Sequence, residues 1–469
     1  MRVALAIAGI VLAGGILAAA DPQVGARAGE LLVPEPGYQM TDSGNYYAAG
    51  NQTTSPAADQ AVATDTKAAG DCDGSCEGGC GSGGCECGDC GGCGGGLGDP
   101  WKLPQPGFLQ SRGIVVGGWL QQGITFNATT PASGFNGPVG TNDWDGEYQM
   151  NQFWLYLNRP VDTGGYGWDI GGHIDMLYGS DWRFGINQGL EDRINNLGNS
   201  YGMVIPQAYL ELAWNRLSVK MGHFAGILDY EAVPAIANPF YSHSLCYGFT
   251  VPQLVTGVLG DYKLTDQFSV QAGFHRGWMK WEDNNDNLDV MAGMKWNSYD
   301  QRTSVAYAIS SGPQDDAGQQ NRFVYSLVLK HQLTEQFQYV LVHNLGAQDN
   351  TFQDGRDAEW YGVNQYFLYA INPHWAANLR FEWLRDDDGV IVQGPPAAAG
   401  IRAWPGFGYA GDFYELTAGL SWRPNANIVV RPECRWDWFN GLPGPVGFPY
   451  DDGGSDDQFT FGVDAIVTF

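Results

Sequence analysis

Beyond residue 20 the sequence has no uninterrupted apolar run of about 18 residues, so no single helix there could cross a bilayer. It is also short of charge. Asp, Glu, Lys and Arg make up 16% of the chain, against about 25% in ordinary globular proteins. Positive charge is scarcest, with 24 Lys and Arg against 51 Asp and Glu and a net charge of −27. Phosphate backbones are held by clustered Lys and Arg, so nucleic acid is excluded as a partner. Signatures of hydrolytic chemistry are missing too, since neither G-x-S-x-G nor H-E-x-x-H occurs. His173, His223, His275, His331, His343 and His374 are scattered, which predicts no histidine metal site. Ser242-His243-Ser244 is suggestive, but adjacent residues of an extended chain point to opposite faces and cannot form a nucleophile–base pair. The expectation is a non-enzymatic protein without a cofactor.

What the chain has in plenty is Gly (67 residues) and aromatics (13%). Few charges, many rings and abundant Gly suit a sheet with one face against lipid. Only a helix or a closed barrel satisfies its backbone hydrogen bonds inside a bilayer. With helices excluded, the barrel is left.

The first 20 residues read as a secretory signal peptide. Arg2 precedes the apolar run ALAIAGIVLAGGILAAA, and Ala18 and Ala20 form an A-x-A site before Asp21. Residues 21–110 carry little that could pack a core and read as a disordered Gly- and Cys-rich extension. Cys72, Cys76, Cys80, Cys85, Cys87, Cys90 and Cys93 crowd into its second half. Thiolates at such gaps could surround Zn or an iron–sulfur cluster. The spacing is irregular and no His is near, which favours disulfides in an oxidising compartment and no metal.

From about residue 111 to 469 the texture is uniform. Segments of roughly ten residues alternate apolar with small or polar side chains, the mark of transmembrane β-strands. In the last, Phe459, Phe461, Val463, Ala465, Val467 and Phe469 share one face; Gln458, Thr460, Gly462, Asp464 and Thr468 share the other, with Ile466 the exception. The segments predict an all-β transmembrane antiparallel barrel of about 16 strands. Short turns such as Asn215-Arg216 and Asn372-Pro373-His374 take turns with longer loops at 127–147, 181–202, 386–411 and 440–457. A soluble sandwich would show the alternation but has no reason for loops of two kinds. Trp278, Trp281, Trp360, Tyr361, Trp375, Trp422, Trp436 and Trp438 lie near segment ends, where interfacial girdles are expected.

Three features resemble bacterial outer-membrane β-barrel porins of the general-porin type. They are the terminal strand FTFGVDAIVTF, the run VKMGHFAGILDYEAV at 219–233 with NPFYSHSL and VPQLVTGV after it, and the position of the loop so formed between the fifth and sixth strands. The resemblance implies an outer-membrane location, an assembly signal at Phe469 read by the outer-membrane assembly machinery, and a water-filled channel for passive diffusion of small polar solutes and ions. It also implies a homotrimer and a long loop folded inward at 225–253. Asp229, Glu231 and His243 on that loop are candidates for the pore constriction. Strand parity turns Arg380, Glu382, Arg431, Glu433, Arg435 and Asp437 toward the lumen, with Lys220, Asp175, Glu211 and Glu415. Acidic loop groups facing wall arginines would set a field across the pore; the alternative is ordinary solvated or ion-paired lumen residues. The Cys-rich extension is a departure from general porins. A structural or adhesive barrel with a plugged lumen is the competing reading.

Overall fold

The computed structural model describes residues 96–469 except 197, 393–407, 445 and 446. The signal peptide and the seven clustered cysteines lie outside the described residues. The strands are β1 Val115–Asn127, β2 Tyr148–Arg159, β3 Trp168–Gly179, β4 in two pieces (Gly202–Val204 and Ala208–Trp214), β5 Leu217–Ala225, β6 Leu254–Lys263, β7 Phe268–His275 and β8 Asp289–Asn297. The second half comprises β9 Thr303–Pro313, β10 Asn321–Gln332, β11 Phe337–Gln348, β12 Ala358–Asn372, β13 Trp375–Asp386, β14 Gly411–Asn425, β15 Ile428–Gly441 and β16 Asp457–Thr468. Both pieces of β4 pair with β3, so they are one interrupted strand. Pro206 lies at the break, where a residue without an N–H cannot extend the ladder.

Every neighbouring pair is antiparallel, and β16 returns to β1 in the register Trp119↔Thr468 through Asn127↔Thr460. Phe469 N donates to Gly118 O and Gly118 N to Phe469 O, which closes a 16-strand barrel at its last residue. Closure leaves no edge strand to pair with other chains. Short connections such as 215–216, 264–267, 333–336 and 373–374 lie at one end, and the long loops lie at the other. That asymmetry marks the periplasmic and extracellular ends of an outer-membrane barrel.

The alternation becomes an inside and an outside. Phe459 and Phe461 are exposed on the lipid face, while Gln458, Thr460 and Asp464 are buried inside. Ile466, the exception to the pattern, faces inward and is fully buried in a cluster with Trp119, Trp154 and Ala235. Its partner is the inward loop, which gives an apolar residue a dry place in the lumen.

The girdle expectation needs correcting in part. Trp375 and Trp422 do stack on the outer face, 5.9 Å between centroids, and Trp436 is exposed. Trp360 instead points inward and is fully buried, beneath the Arg322 guanidinium 5.8 Å away. β7 ends at His275. Beyond it Trp281 stacks on the buried His223, 4.1 Å between centroids, and Trp278 packs against a buried cluster.

Before β1, residues 97–116 form a strap along the short-turn end. Asn427, in the β14–β15 turn, accepts from Trp101 N (2.6 Å) and donates to Trp101 O (3.0 Å). Ala426 N donates to Leu97 O, and the side chain of Gln105 pairs with the backbone of Val116. A one-turn helix, α1 (Gly107–Gln110), precedes the barrel. Residues 96–110, the described part of the expected extension, are therefore not structureless, because they find backbone partners on the barrel rim.

Candidate pore constriction

Residues 226–253 leave β5 at the extracellular end and fold back into the lumen. The descent begins at Asp229, whose φ of +71° is unusual for a non-glycine residue. Its Oδ1 accepts from Tyr230 N at 2.6 Å and Glu231 N at 3.3 Å, a local bond that offsets the left-handed backbone. Asn238 then ties the loop to itself, accepting from Ala232 N and donating to Ala232 O and Pro234 O. Ser244 caps the helical turn Leu245–Phe249 by accepting from Tyr247 N.

The loop is fixed to the wall formed by β10–β16. Asp229 N donates to Ser326 Oγ (2.9 Å), and Asn344 Nδ2 donates to Asp229 (2.6 Å). Glu231 accepts from Arg380 Nη1 (2.8 Å) and Tyr366 OH (2.7 Å) and pairs with His243 Nδ1 at 2.7 Å. Arg380 also reaches Glu415 (2.8 Å) and Ser242 O (2.9 Å), and lies 5.0 Å over the Phe240 ring. Wall carboxylates take the loop's backbone N–H groups: Glu433 from Tyr241 and Ser242, Glu382 from Leu245 and Cys246. Wall arginines take its carbonyls. Arg435 donates to His243 O (2.7 Å) and Arg431 to Ala235 O and Asn238 O, while each keeps a carboxylate partner, Asp437 and Asp464.

Burial of charge is tolerated when partners are close, and both carboxylate oxygens of Glu231, Glu382 and Glu433 accept hydrogen bonds. Burial alone would raise the Glu231 carboxyl, yet Arg380 and then His243 hold it well below the usual carboxylate range. Asp229 has no cation beside it; burial pushes it up to about 6 against the bonds from Asn344 and Tyr230.

Aromatic side chains of the loop sit where the wall has no side chain. A Cβ added to Gly419 would stand 3.1 Å from Phe240, and one added to Gly123 would meet the Tyr241 ring at 2.7 Å. These inward glycines are cradles for the loop.

All the lumen residues expected from strand parity do face inward. Arg380, Glu382, Arg431, Glu433, Arg435 and Asp437 belong to the loop-bearing wall, and Asp229, Glu231 and His243 are buried against it. Lys220 is elsewhere, on β5, with its ammonium 4.9 Å from the Tyr209 ring centroid. The Ser242-His243-Ser244 trio is spent on structure, since Ser242 accepts from Arg380 and Ser244 caps the helical turn. Sequence reading missed Tyr366 and Asn344 as partners of the loop, and the buried Arg183–Asp143 pair (2.7 Å) between two other extracellular loops. Cys246 is buried in the loop and Cys434 is exposed on the outer face, both unpaired. Among the described residues no cluster could hold a metal ion and no helix is long and apolar enough to cross a membrane.

Two cavities remain beneath the loop, toward the short-turn end. One, of about 790 Å³ including solvent-open space, lies by β12–β16 and is lined by Arg431, Asn427 and His374. The other, of about 1270 Å³ on the same measure, lies along β5–β10 and is lined by Lys220, Lys295, Lys330, Asp261 and the underside of the loop from Ile227 to Ala232.

Solved structures share this fold. The outer-membrane channel DcaP of Acinetobacter baumannii matches with a TM-score of 0.51 at 13% identity, covering 79% of this chain and 99% of that one. An anion-selective porin from Comamonas acidovorans matches at 0.52 and 10% identity, covering 76% and 99%. Pseudomonas putida OprB matches at 0.50 and 14% identity, covering 77% and 96%. Identity at this level carries the architecture and nothing about solutes. No curated protein matches the sequence. Residues 113–469 match the family model "Putative beta-barrel porin-2, OmpL-like", and with the closed barrel, the inward loop and the porin-like neighbours this places the chain in that family, as an outer-membrane channel for passive solute diffusion.

Proposed function

We propose that residues 226–253 form the constriction of this channel, and that Asp229, Glu231 and His243 shape it by holding the loop to β10–β16. Solutes then pass on the other side, along β5–β10. One observation carries this reading: the loop's polar groups are bonded to β10–β16 and, through Asn151 and Gln152, to β2, while the larger cavity lies along β5–β10. Arg380, Glu382, Arg431, Glu433, Arg435 and Asp437 act as fasteners in this account, because each bonds a loop group or a neighbour that does.

Phe469 suits an assembly signal, being the ring that ends the closing strand. The resemblance to general porins supports a homotrimer, and the lack of catalytic geometry at Ser242–Ser244 supports transport without chemistry. In a planar bilayer the folded protein should give stepwise ionic currents. A variant with residues 235–243 replaced by Gly-Gly should show a larger unitary conductance. Absence of any current from folded protein overturns the channel reading. Unchanged conductance in the shortened variant overturns the constriction.

A further inference from the structure

The outward face of the barrel is of two kinds. On β3, β4 and β8 its side chains are apolar and exposed, as at Ile170, Ile174, Leu210, Leu212, Val290 and Met294. On β9–β12 it carries Tyr307, Tyr325, His343 and Gln365. Each is turned out because the residue after it (Ala308, Ser326, Asn344 or Tyr366) is buried inside. His343 is the seventh of twelve residues in β11, and Gln365 the eighth of fifteen in β12. A tilted strand crosses a bilayer in about 9–11 residues, so both lie near mid-height.

These four side chains are half-buried, held by one another and by Tyr339. Tyr325 OH pairs with His343 Nδ1 at 3.1 Å, and their rings stack 5.6 Å apart. Tyr307 lies 5.6 Å from Tyr325, ring to ring, and Tyr339 OH donates to Gln365 Oε1 at 2.9 Å. That leaves His343 Nε2, the amide protons of Gln365 and the Tyr307 hydroxyl without a partner among the described residues. Acyl chains offer no acceptor, and a polar group left bare in hydrocarbon is costly. Headgroups and soluble proteins do not reach mid-height. Whatever meets these groups must itself span the membrane.

Resting on the oligomer reading above and giving it a surface, we propose that the outer face of β9–β12 packs against a second copy of this chain. The patch holds acceptors as well as donors, since the Tyr307 oxygen and the second lone pair of Gln365 Oε1 are also unused. An identical chain therefore supplies both kinds of partner. The interlocked rings add contact area whose side-chain freedom is already spent, and aromatic pairs contribute beyond the area they bury. Leu327 sits at the centre of the patch, opposite Tyr307 on one side and His343 on the other.

The test places the photo-cross-linker p-benzoylphenylalanine in the full chain, in its outer membrane, at Leu327 or at Leu212 on the apolar face. Irradiation should give a species of twice the chain's mass from Leu327 and little from Leu212. In the double variant His343→Leu, Gln365→Leu the cross-linked yield should fall several-fold, and the oligomer should dissociate at a lower temperature on unboiled gels. Folding is checked by the shift in gel migration on boiling; if the double variant fails it, Tyr307→Phe decides, with a smaller fall in the same direction. A patch facing lipid gives the opposite sign. The apolar replacements would then make the folded protein more heat-resistant and leave cross-linking unchanged, which overturns the proposal. Cross-links from Leu212 but not Leu327 overturn this face and keep the oligomer, and a product of another mass overturns the second copy. Wild type that is monomeric in mild detergent and gives no cross-link overturns both.

Discussion

The two walls of this barrel use charge in opposite ways. Along β10–β16, arginines and carboxylates are buried in pairs and spend their remaining bonding capacity on the backbone of the inward loop. Along β5–β10, Lys220, Lys295 and Lys330 line a cavity beneath the loop, together with Asp229 and Asp261. The same lumen-facing parity thus yields a fastening surface on one side and a solute-facing surface on the other. What separates them is whether a second layer of chain lies over the charge. A covered charge must be paired, because an unpaired one costs several kcal/mol, whereas a wet one need not be.

That difference can be broken most sharply at Arg380. Arg380→Gln leaves Glu231 and Glu415 buried without their cation, and removing one partner of a buried pair costs about 3–5 kcal/mol. The loop should come loose, so unitary conductance should rise and become noisy, while the temperature at which the boiled-form band appears should fall. Quiet wild-type currents from this variant would show that the loop is held by packing rather than charge.

A somewhat smaller effect should follow from placing arginine on the two faces of the open wall. Val290 is 57% exposed and faces lipid, so Val290→Arg should impair insertion by about 2–4 kcal/mol if it lies near the bilayer midplane. Ser304 lines the larger cavity, and Ser304→Arg should be tolerated. The corresponding inward positions of the fastening wall should not be mild: Gly462 lies against Tyr241, and Asn378 donates to Pro239 O. Comparing yields of folded protein at Ser304 and Gly462 separates a wet wall from a covered one.

The least effect is expected at the rim of the fastening wall. Asn427→Ala removes the bonds to Trp101 and Thr468, at about 1 kcal/mol each. Limited proteolysis of residues 97–112 should quicken while conductance stays unchanged. Altered conductance would mean that the strap reaches into the passage.

Much of this was legible in the sequence. Strand existence and facing follow from alternation, since every barrel strand separates lipid from lumen with a period of two. Arg431, Glu433, Arg435 and Asp437 turn inward on that ground alone. Which groups meet across the lumen was not legible. Parity gives a direction but no partner, so Glu231 with Arg380, or Glu382 with the N–H groups of Leu245 and Cys246, could not be foreseen. One signal was present and unread: Gly123 and Gly419 sit at inward positions where a lumen residue would ordinarily be polar. The inward tryptophans were misjudged because ring position along a strand does not say which face the ring takes.

The strap at Leu97–Val116 has a topological consequence. Its bonds to the β14–β15 turn put Leu97 at the end of the barrel that carries the short connections, on the periplasmic side of the outer membrane. The strap therefore lies on the periplasmic rim of the barrel, away from the cell exterior. A molecule that engages the strap must reach it from the space between the two membranes.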